Sequence, residues 1–450
     1  MSGLRTAVQR AAVFIDRGQG LILLLVSPFL LFPTPARTLA LLIVPGLWVV
    51  AGLSRGVFLT RTPLNGSLLL LAVMILVSLY VTYDIAVSLP KITGLVLGFG
   101  VFFAVARLGQ DRLGWRLGVV AFLALGIGTA GVGLLGTQWL DKVAFLSPLL
   151  ARLPSVLKGL PGAESGFQPN EVAGSLVWVL PLLFVLTGQQ FKHRLAGERA
   201  WLALLISLGA TLFVLGVFVL TQSRSGYIGL AAGMSLLILI GAPPRWRRFI
   251  LIGLVVLIVV GGAWLSGSGT GVQNQLANSA LGGTAMSLDT LEGRLEVWSR
   301  AIEGIQDFPL TGMGLNTFRS IVFVFYPLAT IGPDFNLGHA HNEFLQAALD
   351  LGLPGLIAFS ALYLGAFWML REIWHTASTG KIRYLVLGLG GSLFAHLVYG
   401  LTDAVALGAK PGILFWMLLG LIAGLFLQTR PNGNLIGMID RETMHTKETG

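Results

Sequence analysis

Twelve apolar runs, each close to the ~20 residues a helix needs to cross a bilayer, constrain this chain more than any other feature. They lie near 20–36, 38–54, 66–83, 91–106, 117–137, 171–188, 200–221, 225–242, 249–266, 351–370, 384–403 and 411–428, between breaks rich in charge, proline or glycine. Only 11% of the residues are charged and 55% are hydrophobic, whereas a soluble domain carries roughly 25% charge. Such a chain satisfies its backbone inside helices and packs them against one another and against lipid. The 59 glycines suit that packing, because small residues let membrane helices approach closely. The expectation is an all-α polytopic membrane protein, a single domain over residues 1–450 with about 12 transmembrane helices. Arg5, Arg10 and Arg17 ahead of an apolar run from Leu21 resemble the start of a signal peptide. No clear A-x-A site follows, so the run is read as a retained first helix.

Charge orients the spans. With the N-terminus inside and the spans alternating, 20 of the 30 lysines and arginines fall in cytoplasmic segments, every one of which is basic. They include Arg107, Arg112 and Arg116, then Lys192, Arg194 and Arg199, then Arg245, Arg247 and Arg248. That is the positive-inside pattern, and it places both termini in the cytoplasm. The net charge of +10 needs no nucleic-acid partner, because the surplus faces anionic lipid headgroups. The absence of cysteine excludes a disulfide framework and a thiolate site.

Two long segments fall outside: 138–170 and the larger 267–350, between the ninth and tenth spans. A compact protein does not keep about 80 residues between spans without a use for them. The run SGSGTG lacks the flanking strand and Lys-Ser/Thr ending of a phosphate loop. In LDTLEGRLEVWSRAIEGI, Leu291, Leu295, Trp298, Ile302 and Ile305 recur at helical spacing, and Asp289 with Glu292 begins the segment like a capping box. The outer loop is therefore partly helical, with one face packed and another carrying Arg294 and Arg300.

The tenth span is preceded by GHAHNEFLQAALDLGLPG, in which Phe344, Leu345, Ala348 and Leu349 mark a helix and Asn342 its cap. His341 then sits at a helix N-terminus, where the dipole favours a neutral ring, the state a general base requires. Spacing alone favours a plainer reading, in which His339 and His341 are interfacial and bonded to loop carbonyls. A metal site is disfavoured, since residues two apart on a helix diverge and HAHNE is not H-E-x-x-H. His396, within the eleventh span, raises a functional question that an interhelical hydrogen bond answers more simply. Arg224 lies in a short outer turn, TQSRSG, where positive-inside bias disfavours it. Arg294, Arg300 and Arg319 lie in the large outer loop. Each alone reads as a surface or headgroup contact; together, near a histidine, they suit a membrane-held phosphate, which guanidinium grips with two parallel bonds. Asp403 and Lys410 read as an ion pair.

These residues carry a resemblance. His341-Asn342, nine residues, then Gly352-Leu353-Pro354-Gly355 matches the HN-x9-GxxG signature of the O-antigen ligase and polymerase superfamily. TQSRSG looks like the family's SR turn, GRLEVWSRAI like its GR…W helix, DFPLTGMGLNTF like its PL-x-G-x-G continuation and FQPNEVAG like its PN segment. The similarity runs from about 166 to 356. It implies an enzyme of the bacterial inner membrane, with its active site facing the periplasm, that transfers a glycan from undecaprenyl pyrophosphate. On that resemblance His341 is the base, Arg224 and Arg294 hold the pyrophosphate, Asn342 and Glu343 orient the site, and His339 supports His341 or meets the acceptor. Arg300 and Arg319 are further phosphate candidates. No cofactor is expected, and no D-x-D motif appears in the outer loops, so arginines would stand in for a metal ion. Direct displacement implies inversion at the anomeric carbon.

The motifs describe the donor side and leave the acceptor open. A ligase attaches the glycan to a sugar of lipid A–core, a polymerase joins repeat units on the carrier, and a protein glycosyltransferase uses a hydroxyl side chain. Chain size and the single large outer loop look most like the ligase. A twelve-helix transporter is the rival from another class, but its ionisable groups would sit near the midplane, and here they concentrate outside.

Overall fold

The computed structural model describes residues 2–429 apart from 35–36, 140–145, 154–155, 160–162, 164–165, 197–200, 250–251, 253–290, 330, 333–336, 378–379 and 406. Its elements are helices: α1 (Ser2–Arg17), α2 (Gln19–Leu31), α3 (Ile43–Arg55), α4 (Asn65–Val81), α5 (Ile85–Leu108), α6 (Arg112–Gly136), α7 (Ser147–Leu150), α8 (Pro169–Val177) and α9 (Leu180–Leu195). There follow α10 (Trp201–Leu220), α11 (Arg224–Gly241), α12 (Leu291–Asp307), α13 (Phe318–Phe325), α14 (Glu343–Thr376), α15 (Gly380–Gly400) and α16 (Ile413–Thr429). Among the described residues, eight helices are long and apolar enough to cross a membrane. The number rises to ten if each of two bent pairs is one span. The α8–α9 pair bends by 44°, and the shorter apolar α4 falls on the expected third span. The expected ninth span, the SGSGTG run and the Asp289 cap lie mostly or wholly outside the described residues.

Glycine decides which helices touch. A Cβ on Gly229 would stand 2.6 Å from the Ala395 carbonyl oxygen, and one on Gly233 2.6 Å from Ala395 Cβ. This small-x3-small face seats α11 directly on α15. Gly98 faces the Trp416 ring, and Gly109 and Gly424 approach each other backbone to backbone, which brings α5 and α16 together in the bundle's interior. Leu21, Leu24, Leu202, Leu205, Ile206 and Leu364 remain exposed, as apolar side chains facing lipid do.

The GxxG motif has a physical reason. α14 breaks at Gly352, whose φ of +68° is in the left-handed region that only glycine enters freely. The loop 309–314 docks into that break: Met313 N–H donates to the Leu349 carbonyl at 2.7 Å and Leu353 N–H to the Pro309 carbonyl at 2.7 Å. A Cβ on Gly312 would lie 2.5 Å from Gly352 N, and one on Gly352 2.7 Å from the Leu310 carbonyl. The next residues are pinned to α4, α5 and α14. Leu315 N–H bonds Ser78 Oγ, Asn316 Nδ2 donates to the Val87 carbonyl and Asn316 N–H to Asp350 Oδ1. Helices α12 and α13 are therefore fixed relative to α4, α5 and α14.

One expectation is corrected. On α12 the buried stripe is Val297, Ala301 and Gly304, while Leu295 and Ile302 are exposed. Gly304 leaves room for Met313, so close packing selects the small face. Leu295 and Ile302 point outward, while Ile305 packs against the loop core.

Candidate functional site

Four helix ends meet in one place: the N-termini of α11 and α14, the C-terminus of α15 with the loop 401–409, and the start of α12. Asn342 caps α14 as its position implied, Oδ1 accepting from the N–H groups of Phe344 and Leu345 at 3.0 Å each. Its Nδ2 donates to the Leu401 carbonyl at 2.9 Å. That second bond ties the histidine segment to the loop after α15.

His341 precedes the cap with φ +49°, in the left-handed region that costs a non-glycine residue free energy. Trp298 Nε1 donates to the His341 carbonyl at 3.4 Å, so the tryptophan of the GR…W helix braces that peptide. The other two non-glycine residues with positive φ, Gln222 and Asn316, stand beside the SR turn and before the α13 helix that carries Arg319. All three strained residues described thus surround this end of the bundle.

The site's organising anion is Asp403, which is 1% exposed. His341 Nδ1 lies 3.2 Å from its Oδ1, and Ala404 N–H also donates to that oxygen at 2.9 Å. A proton on Nδ1 shared with the carboxylate leaves Nε2 with the lone pair. Arg294 Nη2 stands 3.6 Å from Asp403 Oδ2, and its Nη1 donates to Ser225 Oγ at 3.1 Å and to the Thr402 carbonyl. Ser225 follows Arg224, whose guanidinium is exposed at the α11 N-terminus. Ser225 therefore links the SR turn to the GR helix.

His339 Nδ1 accepts from His341 N–H at 3.1 Å, which puts its own proton on Nε2, 3.9 Å from Asp403 Oδ1. Burial lowers the His339 imidazole to about 3, aided by His341 and, more weakly, by Lys91 and Arg319, against the pull of Asp403. It is neutral at every ordinary pH. Burial alone would push the Asp403 carboxyl up, but His341 foremost, with Arg294 beside it, outweighs this and holds it at about 2.

Of the sequence candidates, the structure brings together His339, His341, Asn342 and Arg294, places Arg224 at the α11 N-terminus next to Ser225, and sets Arg319 near enough for its charge to act on His339. Arg300 goes elsewhere. Its Nη1 bonds both Glu303 carboxylate oxygens at 2.6 and 2.9 Å, one turn along its own helix. Glu343 is buried inside the bundle and is not part of the outer cluster. Asp403 is the residue that sequence reasoning missed. It ion-pairs with the cluster, while Lys410 Nζ lies over the Phe32 ring. Lys91, near Arg319 and His339, was missed as well.

The geometry also changes the metal question. His339 and His341 precede the helix rather than lie on it, so their rings stand 4.4 Å apart. With Asp403 they offer three ligand-type atoms within 4.8 Å of one another. Arg294 holds a fixed positive charge against the same carboxylate, which opposes a cation there.

Residues 209–360 match the model of a family described as O-antigen ligase, Wzy_C. The match runs from α10 into α14. It contains Arg224, Arg294, His339 and His341, and ends before Asp403. Over 112 residues the chain is 28% identical to the exopolysaccharide production protein ExoQ of Rhizobium meliloti (strain 1021), covering 24% of this chain. The match spans 25% of that relative's length.

Proposed function

We propose that this chain, whose residues 209–360 match the O-antigen ligase family model, is the ligase: a glycosyltransferase that moves a glycan from undecaprenyl pyrophosphate to a sugar hydroxyl of lipid A–core. The single observation that carries the chemistry is the 3.2 Å contact of His341 Nδ1 with buried Asp403. A histidine so oriented presents Nε2 to take the acceptor's proton. Breaking the glycosidic bond leaves charge on the pyrophosphate. Arg224 and Arg294 would stabilise that charge as it grows, with Arg319 as a further contact. Attack by the deprotonated hydroxyl at the anomeric carbon expels the pyrophosphate in one displacement and inverts the centre. The reaction proceeds without a metal, Arg294 supplying the positive charge, at the periplasmic face of the inner membrane.

A lipopolysaccharide gel from cells lacking the protein, complemented with wild type or His341→Ala, tests this reading. The ligase predicts bare lipid A–core in the mutant, with long glycan accumulating on the carrier. The similarity to an exopolysaccharide production protein favours a second reading, polymerisation on the carrier. Attachment of a single repeat unit to the core in the mutant would select it.

A further inference from the structure

Beneath the outer cluster lies a second polar group that the proposed chemistry does not use. Glu343, 4% exposed, places Oε2 3.4 Å from Nδ1 of His396, which is fully buried on α15. Tyr363 Oη lies 3.0 Å from the same Nδ1, and Trp178 stacks on the imidazole with ring centroids 3.9 Å apart. Among the described residues, Glu343 Oε2 and His396 Nε2 have no hydrogen-bond partner. Room for the carboxylate is made by Gly400, where a Cβ would stand 2.6 Å from Oε2. Burying an acid and an imidazole this deeply is a poor way to gain stability, since an apolar pair of similar volume is often as stable or more so. Another benefit is needed to explain them.

The benefit is visible in the order of contacts. Three consecutive residues of one segment meet one stretch of another. His341 meets Asp403, Asn342 meets the Leu401 carbonyl, and Glu343 meets Gly400 and His396. A shift of α14 against α15 would have to break the lowest of these before it could open the highest. We propose that Glu343 and His396 are positioning residues, a buried latch that sets the distance and orientation of His341 relative to Asp403. The inference rests on the reading of His341 as the base, and it assigns His396 and Gly400 a role in that base's geometry.

The test uses the full-length protein in lipid nanodiscs with a carrier-linked glycan donor. Glu343→Gln should lower kcat about tenfold or more while the donor KM stays within about twofold, as expected for lost transition-state geometry rather than lost binding. In an Asp403→Asn background the same substitution should cost nothing further, because residues acting as one unit are non-additive. His396→Asn, which keeps a polar atom near Nδ1, should retain more activity than His396→Leu. Nitrogen-15 histidine spectra read the geometry without catalysis: wild type should show His341 protonated at Nδ1, and Glu343→Gln should lose that single tautomer. Additive losses, or an unchanged His341 signal in Glu343→Gln, overturn the proposal. If wild type transfers no glycan, the transferase reading falls and the spectra alone decide the latch. Should Glu343→Gln fail to fold, Gly400→Ala displaces the carboxylate without removing it and must give the same spectral change.

Discussion

Two polar clusters lie within a few residues of each other, and they are built on opposite plans. At His341, Asp403 and Arg294 the charges are paired at the surface end of the bundle, and the imidazole keeps one nitrogen for a substrate. At Glu343, His396 and Tyr363 the groups are sealed among Trp178 and helix backbones, and two polar atoms have no hydrogen-bond partner among the described residues. The same residue types serve chemistry where charge can be compensated and reached. Where they cannot be reached, what they contribute is fixed geometry. The difference teaches that distance along the chain is a poor guide to role: His341 and Glu343 are two residues apart, and the cap at Asn342 turns one outward and the other inward.

The comparison breaks most easily at its outer half. His341→Ala removes the proposed base and should reduce glycan transfer by about 10²–10⁴-fold, the usual weight of general acid–base catalysis. Transfer by the purified protein checks this, and a loss no larger than that of Glu343→Gln would erase the distinction between the clusters. Arg294→Ala should cost about 10²–10³-fold, the scale for removing one preorganised donor to developing charge. Arg294→Lys should recover only part of it, because lysine keeps the charge but lacks the fork that meets Ser225 and Thr402 with one nitrogen and faces Asp403 with the other. A chelator should leave the rate unchanged; restoration of a chelator-inhibited enzyme by one divalent ion would replace Arg294 with a metal at the Asp403 carboxylate.

The pH dependence of stability tests His339 and Asp403. Because the fold holds His339 at about 3, its protonation is disfavoured in the folded state but not in the unfolded chain, where imidazole titrates near roughly 6.5. His339 therefore leaves stability untouched above about pH 6.5 and diminishes it as the pH falls from there toward 3. Thermal melts should show His339→Asn losing less stability between pH 7 and 5 than wild type. Asp403 works in the other direction, contributing stability above the ordinary carboxylate range that disappears only as the pH falls toward 2. Identical pH curves for wild type and His339→Asn would show that His339 is not held neutral by its surroundings.

Much of this architecture was legible because bilayer physics writes itself into composition. Apolar length and basic breaks locate the membrane-capable helices, and the cap at Asn342 follows from the helical period after it. The HN-x9-GxxG spacing was legible as a pattern, but its cause was not: the nine residues are the helical turns between the cap and the break at Gly352 where the loop 309–314 docks. Asp403 was illegible as a site residue for a related reason. It sits 62 positions from its partner His341, and nothing local distinguishes a carboxylate that meets an imidazole from one that meets the nearby Lys410. The α12 face was misread because large apolar residues are assumed to point inward, whereas the close approach of Met313 at Gly304 selects the small face.

Arg300 supplies the smallest effect and the sharpest control. It shares α12 with Arg294, six residues on, and at 3.6 residues per turn that places the two side chains roughly 120° apart around the axis. One guanidinium reaches Ser225, Thr402 and Asp403, while the other is held by Glu303 on its own helix. A surface pair of that kind contributes little, and among the described residues no hydrogen bond joins it to the imidazole. Arg300→Ala should therefore change glycan transfer by less than about twofold, with melting behaviour close to wild type. A loss on the scale of Arg294→Ala would mean that Glu303 releases Arg300 when the donor binds, and that the outer cluster extends one turn further along α12 than the unliganded geometry places it.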